Sequence, residues 1–493
     1  MASSTKARRT LSEIASAVAA RQQVRHVGQD VVVGDVHMDS RHVGPGSLYT
    51  AIRGARVDGH RFIEEAVAAG AVAVAVEEPP AIQIPHLLLD DSRAALGWMA
   101  AVVHDNPSTQ LGTIGITGTN GKTTVAHMLA AMAGGADGDM AVIGTVSANL
   151  HGAAASPRTT PEASTTQRIL RRLVDQGITR VAIEVSSHAM EMGRVNGIGF
   201  DVVAFTNLSQ DHLDYHHTME AYYQAKAKLF SEQWAPHAVI WVDDPYGRRL
   251  AAEATMQVTT VGTRPDADVQ VVHGRGSPSG SVFELITANG KIGYSSPLAG
   301  QFNVANAAIA LTCAAIVGID TRAAGRRLAK MVPIPGRYNT VESPTGLWVV
   351  VDYAHTPDAI RNVIAETRPQ IEGKVIVVVG AGGDRDREKR PLMGEAASTA
   401  DFAFITNDNP RSEDPAAIRQ AVIAGIPSDA AFRVEPDRRV AIRRALAMAT
   451  KEDAVLILGK GHETEQEYAE HIEAFEDAHV AREEMRWLKE VQP

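Results

Sequence analysis

The segment that decides the fold is Gly118-Thr119-Asn120-Gly121-Lys122-Thr123-Thr124, which directly follows the strand-like run Thr113–Thr117. Glycines let backbone N–H groups close around phosphate oxygens, and a helix beginning after the loop adds its positive end. Lys122 would neutralise β- and γ-phosphates, and the Thr123 hydroxyl can bind Mg²⁺. The segment therefore predicts a phosphate-binding loop. A plain glycine-rich turn is the alternative.

The loop departs from the usual phosphate-loop pattern at one position. That pattern has a glycine six residues before the lysine, where this chain has Ile116. A shorter variant that begins at Gly118 still fits the strand–loop–helix context. Such a loop alone does not distinguish a kinase, a GTPase, a motor or a ligase.

Composition around this loop indicates a globular protein of several domains. The residues are 45% apolar and 22% charged, which is an ordinary globular composition. A chain of 493 residues is too long for one hydrophobic core and long enough for about three domains. The formal charge of −10 gives no overall basic field, which argues against nucleic-acid binding. The single cysteine, Cys313, cannot form an intramolecular disulfide, so we predict a reducing, cytoplasmic location.

Neither apolar segment of the chain predicts membrane insertion. The run 11–20 follows a basic N-terminus but contains Glu13, which favours an amphipathic surface helix over a signal peptide. The segment Val304–Ile319 contains Asn306 and is too short to span a bilayer, so we predict a buried helix.

Two breaks divide the chain into three predicted domains, 1–108, 109–335 and 336–493. The breaks are Asp105-Asn106-Pro107-Ser108 and the proline-rich Val332–Gly336. Apolar strands alternate with helical segments in the middle and last parts, which is typical of an α/β fold with mostly parallel sheets. The predicted strands are Ser47–Ile52, Ala71–Val76, His86–Leu89, Thr113–Thr117, Arg180–Val185, Val202–Thr206, Ala238–Val242, Trp348–Val351, Lys374–Val379, Phe402–Thr406 and Ala454–Leu458.

Polar clusters follow the last four of these strands. Open α/β sheets bind ligands beyond the carboxyl ends of their strands, so the clusters predict a site in the last domain that faces one in the middle domain. The clusters are Asp352–His355, Gly382–Arg385, Asp408–Arg411 and Gly459–Glu463.

Two motifs of the middle domain supply candidate metal ligands. Glu184 ends a predicted strand, and a carboxylate suits Mg²⁺, which takes few protein ligands. His212, in Asp211–His216, is a less usual ligand for Mg²⁺, and a structural histidine explains it equally well.

Taken together and in this order, the motifs resemble those of the Mur ligases, which form amide bonds at the expense of ATP in peptidoglycan precursor synthesis. The resemblance covers nearly the whole chain and is to the tripeptide synthetases of that family. The motifs that carry it are Asp39–Arg41, Gly118–Thr124, Thr159–Glu162, Glu184–His188, Asp211–His216, Gly300–Asn306, Pro335–Arg337, Asp352–His355, Gly383–Asp386, Lys389–Pro391, Asp408–Arg411 and Gly459–Glu463. One departure is Asn339, where the family often has glutamate.

The resemblance implies a three-domain fold: an N-terminal UDP-binding domain, a central ATPase and a C-terminal Rossmann-like domain. It implies that the free D-glutamyl carboxylate of UDP-MurNAc-L-Ala-D-Glu attacks the ATP γ-phosphate and becomes an acyl phosphate. An amine of the incoming amino acid then displaces phosphate. A monomer with Mg²⁺ as cofactor is expected.

Site residues follow from the resemblance by position. ATP would contact Gly118, Thr119, Asn120, Gly121, Lys122, Thr123, Thr124, Asn303, Arg337, Asp352 and His355. The metal would be held by Thr123, Glu184, His212 and a carbamylated Lys226. Without the resemblance, Lys226 would be interpreted as a solvated helix lysine.

The remaining site residues would bind the other two substrates. The nucleotide-peptide would contact Ser40, Thr159, Thr160, Ser186 and Arg194, although Ser40 could equally be a local turn or cap. The cluster Asp408–Arg411 resembles the family's motif for meso-diaminopimelate, because a guanidinium can bind the second carboxylate that lysine lacks. This amino acid would be held by Arg385, Asp408, Asn409, Pro410, Arg411, Gly459 and Glu463.

Four other interpretations remain open from the sequence. Arg411 could merely pair with Glu413 or Asp414, and the amino acid could be L-lysine. A folylpolyglutamate synthase shares the loop and the chemistry, but the full N-terminal domain and the Asp408–Arg411 cluster disfavour it. A non-catalytic nucleotide-binding regulator would be favoured if Lys122, Glu184 or Lys226 were missing, and all three are present.

Overall fold

The computed structural model describes residues 8–54, 57–146, 158–277, 279–344 and 346–491. Three large β-sheets follow one another along the chain, with five, nine and six strands, and helices pack against them. Parallel pairing dominates the second and third sheets, so the predicted α/β fold class is confirmed.

The N-terminal part is built around the sheet β2-β7-β6-β5-β4, with a separate β1-β3 pair. A capping box between Thr10 and Glu13 begins α1, whose Leu11, Ile14 and Val18 are buried, so this segment is the amphipathic helix that was predicted. The elements are β1 Arg9–Thr10, α1 Leu11–Ala19, β2 Val24–Val27, β3 Val32–Val33, β4 Asp35–His37, β5 Ser47–Thr50, α2 Ile63–Ala68, β6 Ala71–Val76, β7 His86–Leu89 and α3 Ser92–Val103, with 3₁₀ turns at Ser40–His42, Gly59–Phe62 and Pro107–Gln110.

The middle part forms the sheet β16-β15-β14-β13-β12-β11-β8-β10-β9, which is parallel from β14 to β9 and antiparallel at β14–β16. Its elements are β8 Gly112–Thr117, α4 Lys122–Met132, β9 Met140–Ile143, α5 Ala163–Asp175, β10 Arg180–Glu184, α6 Ser187–Glu191, β11 Val202–Phe205, α7 Leu213–His216, α8 Met219–Ala227, β12 His237–Trp241, α9 Pro245–Glu253, β13 Gln257–Gly262, β14 Val269–Ser277, β15 Gly280–Thr287, β16 Gly290–Ser296, α10 Gln301–Ile316 and α11 Thr321–Leu328, with a 3₁₀ turn at Gly135–Asp137.

Strand β8 lies between β11 and β10, so the loop after it opens at the carboxyl edge where the chain connections diverge to both sides. Helix α10 packs across this sheet with most of its side chains buried, as the segment Val304–Ile319 predicted. In the described ranges no helix is both long and apolar enough to cross a membrane.

The C-terminal part forms the sheet β17-β18-β22-β19-β20-β21, parallel except at β17, and a separate β23-β24 pair. Its elements are β17 Asn339–Val341, β18 Trp348–Asp352, α12 Pro357–Thr367, β19 Val375–Val379, α13 Lys389–Ala397, β20 Phe402–Ile405, α14 Pro415–Ile423, β21 Phe432–Val434, α15 Arg438–Met448, β22 Ala454–Leu458, β23 Glu465–Glu467, β24 Ile472–Ala474 and α16 Asp477–Val491, with a 3₁₀ turn at Arg368–Gln370.

A buried ion pair joins two helices of this part. The Arg438 guanidinium donates to both carboxylate oxygens of Asp477 at 2.7 Å, and neither side chain is exposed. Arg438 also donates to the Leu458 carbonyl at 3.0 Å, where β22 ends and the segment Gly459–Glu463 begins. The pair therefore fixes the start of a predicted site segment.

We predict that Asp477→Asn destabilises the protein by about 3–5 kcal/mol, because it leaves the Arg438 charge buried and unpaired. Denaturant unfolding followed by circular dichroism measures the change. Asp266→Asn, in an exposed pair with Arg264, is the control and is expected to cost less than about 1 kcal/mol. Equal shifts in the two variants would contradict the assigned energetic role.

Candidate active site

The loop after β8 has the conformation of a phosphate cradle, and two of its positions require glycine. Gly118 and Gly121 have φ of 145° and 89°. A Cβ at Gly118 would lie 1.9 Å from the Thr206 hydroxyl, and one at Gly121 would lie 2.5 Å from the Asn306 side-chain oxygen. Helix α4 then begins at Lys122, so its N-terminus faces the space inside the loop.

Lys122 lies folded onto this loop. Its Nζ donates to the carbonyls of Gly118 and Thr119, both at 2.8 Å. Burial lowers the pKa of Lys122, which Glu184 partly opposes. The ammonium group thus lies at the mouth of the loop, where a phosphate could replace the carbonyls as its partner.

Glu184 links the loop to the neighbouring strand. Its fully buried carboxylate accepts from the Thr123 hydroxyl at 2.9 Å and from the Thr145 N–H at 2.9 Å. Arg337, from the C-terminal part, donates to the same Thr123 hydroxyl at 3.1 Å. These contacts place one carboxylate, one hydroxyl and one guanidinium at the start of α4.

The oxygen ligands at the start of α4 would fill only part of the coordination shell of Mg²⁺. Thr123 and Glu184 supply two oxygen ligands, and Mg²⁺ usually completes its coordination with water and phosphate. His212 lines the same cavity, and burial lowers its pKa to about 3, so its imidazole is neutral. No group of three or more His, Cys, Asp or Glu side chains is arranged for a metal in the part of the chain that is described.

Lys226 is buried, so its interpretation as a solvated helix lysine is wrong. The side chain is 2% exposed, and its Nζ donates to the Gly118 carbonyl at 3.0 Å. The same Nζ lies 4.6 Å from the centroid of the Tyr222 ring. Burial, reinforced by Lys122, holds the pKa of Lys226 well below its usual range, which favours a neutral amine behind the phosphate loop.

A cavity of about 600 Å³ extends from the phosphate loop to the strand ends of the C-terminal sheet. Most of the predicted site residues line it: Thr119, Asn120, Gly121, Lys122, Thr123, Thr159, Glu184, Ser186, Arg194, His212, Arg337, His355, Arg385, Asp408, Asn409, Arg411, Gly459 and Glu463. The two sets of polar strand ends thus face each other, as the sequence predicted.

A second cavity of about 640 Å³ adjoins the first on the other side of Asn120, Gly121 and Arg337. It contains the predicted nucleotide residues Thr124, Asn303 and Asp352, together with apolar side chains such as Phe302. This mixture suits a base and ribose beside the phosphate loop.

Five of the predicted residues line neither cavity: Ser40, Gly118, Thr160, Lys226 and Pro410. Ser40 lies in the N-terminal part, far from the phosphate loop in sequence, and its hydroxyl donates to the Glu65 carboxylate at 3.1 Å. Thr160 donates to the Glu184 carbonyl at 2.7 Å and accepts from the Ser186 N–H at 3.2 Å, so it supports two cavity residues.

Arg411 does not pair with Glu413 or Asp414. Its Nε donates to the Glu467 carboxylate at 3.0 Å, and its Nη1 donates to the Gly383 carbonyl at 2.9 Å. The φ of Arg411 is 52°, in the left-handed region, and its N–H donates to the Glu467 carbonyl at 3.0 Å. These contacts fix the Arg411 guanidinium at the cavity wall. Its Nη2 makes no bond to Glu467 or Gly383.

Asn409 and Glu463 are joined on the same wall. The Asn409 amide donates to the Glu463 carboxylate at 2.6 Å, and Lys460 donates to both side chains. Burial and the neighbouring Asp408 raise the pKa of Glu463, and Lys460 opposes this. Arg385 lines the cavity as well and donates to the Asp384 carbonyl at 3.0 Å.

Sequence reasoning missed a buried charge cluster that crosses between the two facing parts. The Asp211 carboxylate lies 3.5 Å from Lys389 Nζ and 3.9 Å from His355 Nε2. Burial alone would raise the pKa of Asp211, but His212, Lys389 and His355 hold it well below its usual range. Both Asp211 and Lys389 belong to motifs that carry the family resemblance, yet nothing in the sequence indicates that they pair.

Asn339 stands on the edge strand β17, paired with Val351, and lines neither cavity. Arg337, two residues earlier, still reaches the phosphate loop, and its guanidinium lies 4.6 Å from the centroid of the Tyr353 ring. Asparagine at position 339 therefore leaves the cationic part of the site in place.

Family models match three successive segments of the chain. They are described as the Mur ligase family catalytic domain at residues 33–133, the Mur ligase middle domain at 116–314 and the Mur ligase glutamate ligase domain at 336–461. A relative from Geobacillus thermodenitrificans, named UDP-N-acetylmuramoyl-L-alanyl-D-glutamate--2,6-diaminopimelate ligase, is 42% identical over 93% of this chain and 96% of its own. A relative of the same name from Aquifex aeolicus is 42% identical over 92% of this chain and 93% of its own.

Comparison with solved structures agrees with these sequence relatives. A solved structure of a ligase with that same name matches this chain with a TM-score of 0.67 and 34% identity, and the match covers 94% of this chain and 98% of its own. The Mycobacterium tuberculosis folylpolyglutamate synthase has a TM-score of 0.60 at 20% identity and covers 73% of this chain and 90% of its own, a likeness of fold alone.

The chain belongs to the Mur ligase family. It is an ATP-dependent ligase, and the predictions of this family, of its enzyme class and of a three-domain α/β architecture are confirmed.

We predict that Lys122→Ala lowers ligation by about 10²–10³-fold or more, because the charge developing on the transferred phosphoryl group loses a preorganised cation. A coupled assay of phosphate release measures the rate, with circular dichroism to show that the variant is folded. Lys330→Ala, at an exposed position, is the control and should keep the wild-type rate. A folded Lys122→Ala enzyme with near-normal turnover would refute the assignment of the loop.

Proposed function

We propose that this protein joins meso-diaminopimelate to the D-glutamyl residue of UDP-MurNAc-L-Ala-D-Glu, using ATP, in the synthesis of peptidoglycan precursors. The observation that carries the proposal is the pairing of a phosphate loop with a cationic and acidic wall, Arg411 and Glu463, across one cavity. The relatives named as diaminopimelate ligases support it. We further propose a cytoplasmic monomer with the domain limits predicted above.

In the first step a D-glutamyl carboxylate oxygen attacks the γ-phosphorus of ATP, and the bond to the β,γ-bridging oxygen breaks to release ADP. A carboxylate is a poor electrophile, and the acyl phosphate formed carries a good leaving group. Lys122 and Arg337 are the cations at the loop and would neutralise charge on the transferred group. Such catalysis is mainly positioning and charge neutralisation.

The nucleotide-peptide would enter beside the loop. Thr159, Ser186 and Arg194 line the cavity on the side of the middle sheet, close to the Glu184 strand. Thr145 connects this side to the loop, because its hydroxyl donates to Thr159 at 3.1 Å and its N–H donates to Glu184. Ser40 is proposed to contact the uridine end.

In the second step the amine of diaminopimelate attacks the acyl carbon, a tetrahedral intermediate forms, and phosphate leaves. The ammonium group must first lose one proton to become a nucleophilic amine, and the nitrogen loses a second proton to solvent as phosphate leaves, so that one hydrogen remains in the amide. Arg411 would bind the distal carboxylate and Glu463 an ammonium group, with Arg385, Asp408, Asn409, Pro410 and Gly459 completing the site. The ligand would thereby be aimed at the loop across the cavity.

Mg²⁺ would be held by Thr123, Glu184, His212 and carbamylated Lys226, and when bound it would neutralise phosphate oxygens. The neutral amine of Lys226 can attack CO₂, forming a C–N bond and releasing a proton, which converts the side chain into an anion with two oxygens. Burial supports this step, since it favours the uncharged, nucleophilic amine.

We predict that Lys226→Ala lowers the rate of ligation by about 10²–10³-fold relative to the wild type. A short carboxylic acid at high concentration should partly restore the rate of the variant. A carbamate signal in ¹³C NMR under ¹³CO₂ should appear in the wild type and be absent in the variant. Lys228→Ala, at an exposed neighbour paired with Glu191, is the control. A wild-type enzyme without the signal, at full activity in CO₂-free buffer, would refute carbamylation.

We predict that the wild type prefers meso-diaminopimelate to L-lysine by at least about 30-fold in kcat/KM, because lysine offers no carboxylate to Arg411. A panel of amines in the ligation assay measures this, and Arg411→Ala should lose most of the preference. Arg433→Ala, exposed on β21, is the control. Equal kcat/KM for the two amino acids in the wild type would overturn the proposed function.

A further inference from the structure

Lys460 is a fully buried cation beside the amino-acid wall of the cavity. Its side chain is 0% exposed, and it stands between Gly459 and Gly461, whose φ values are 111° and 55°. A Cβ at Gly459 would lie 2.5 Å from the Asp408 carboxylate, and one at Gly461 would lie 2.8 Å from Tyr353. The two glycines therefore allow the chain to turn tightly enough to bury the lysine between them.

Three oxygens saturate the three N–H donors of this ammonium group. Lys460 Nζ lies 3.0 Å from Asn409 Oδ1, 3.2 Å from Glu463 Oε2 and 2.5 Å from the Glu465 carbonyl. An ammonium group has three donors and no acceptor, so no donor is left for a ligand. Lys460 does not line the cavity, whereas Asn409 and Glu463 do.

The contacts orient both of these cavity residues. Lys460 holds Asn409 by its oxygen, which fixes the amide nitrogen toward Glu463 at 2.6 Å. The same Asn409 oxygen accepts from the Glu467 N–H at 3.0 Å, in the strand that also binds Arg411. One buried lysine thus connects the carboxylate, the amide and the strand that carry the predicted amino-acid contacts.

The charges around Glu463 make its ionisation depend on Lys460. Burial disfavours its ionised carboxylate, and Asp408 adds the effect of a like charge, so the pKa of Glu463 is raised. Lys460 at 3.2 Å is its direct cationic partner, while Arg438 is a cation with no direct ion pair to it and the Tyr353 hydroxyl is a neutral neighbour. An opposite charge at such a distance typically lowers a carboxyl pKa by about 1–3 units.

We propose that Lys460 is a positioning residue that keeps Glu463 ionised and aimed into the cavity, so that the site accepts an amino acid with a second ammonium group. The inference rests on the proposed function in one respect, the nature of that amino acid. Lys460 itself touches no substrate. It acts through Glu463 and Asn409.

The test compares the pH dependence of kcat/KM for diaminopimelate in the wild type and in Lys460→Met, from about pH 6 to about pH 9. A protonated Glu463 cannot pair with an ammonium group, so kcat/KM falls as the pH drops below the pKa of Glu463. Without Lys460 that pKa rises, and the acid limb should move up by about 1–3 pH units. KM at neutral pH should rise at least about tenfold while kcat changes little.

Three further variants separate this role from a merely structural one. Lys460→Arg keeps the charge and should keep the acid limb near its wild-type position. In a Glu463→Gln background, Lys460→Met should raise KM much less than it does alone, because the group it acts through is already gone. Lys451→Met, at an exposed lysine, is the matched control and should leave both KM and the acid limb unchanged.

A raised KM without a shift of the acid limb would overturn the proposal, as would an equal loss in the Glu463→Gln background. ATP binding and circular dichroism show whether each variant is folded, and Lys460→Gln replaces the methionine variant if that one is not. If the wild type uses another amine, the proposed function fails, and the variants are assayed with that amine. A shift with any diamino acid supports the role of Lys460, and use of an amine without a second ammonium group refutes it.

Discussion

The carboxylate of Glu184 is the interaction on which the rest of the site depends. It is fully buried at the end of β10 and accepts from Thr123 at the start of α4 and from Thr145 after β9. A buried carboxylate is costly unless its oxygens are hydrogen-bonded, so these contacts must be present in the folded chain. Because Arg337 binds the same Thr123 hydroxyl, the C-terminal part is tied to the phosphate loop at that point as well.

Apolar strands made most of the fold predictable, whereas some short or polar strands were missed. Each predicted strand is present to within one or two residues, because strands buried on both faces are continuous apolar runs. The extension β13–β16 was missed, since β16 is largely exposed and carries polar residues such as Lys291 and Ser295. Its formation depends on pairing with β15, which composition does not indicate. The four-residue β9 was missed although it is fully buried, because so short an apolar run cannot be distinguished from a buried helix segment.

Motifs placed the candidate residues at the site, but they did not indicate how these residues pair. The loop, Glu184 and the clusters after the C-terminal strands lie around one cavity. The burial of Lys226, the Asp211–Lys389 pair and the contact of Arg411 with Glu467 each join segments that are far apart in sequence. Such contacts arise from tertiary packing. They could not be predicted from the spacing of residues within a motif.

Three of the charged groups around the cavity share one property, namely that each already has a protein partner. Lys122 is bound to loop carbonyls, Arg411 to Glu467 and Glu463 to Lys460 and Asn409. Burying these charges is therefore compensated before any substrate arrives. Substrate groups must exchange with or add to these partners. A ligand without the matching charge gains no binding free energy from the exchange, because the contact that it would form is weaker than the protein contact that it would displace. Under the proposed function, this internal pairing would favour a ligand that carries both an anion for Arg411 and a cation for Glu463.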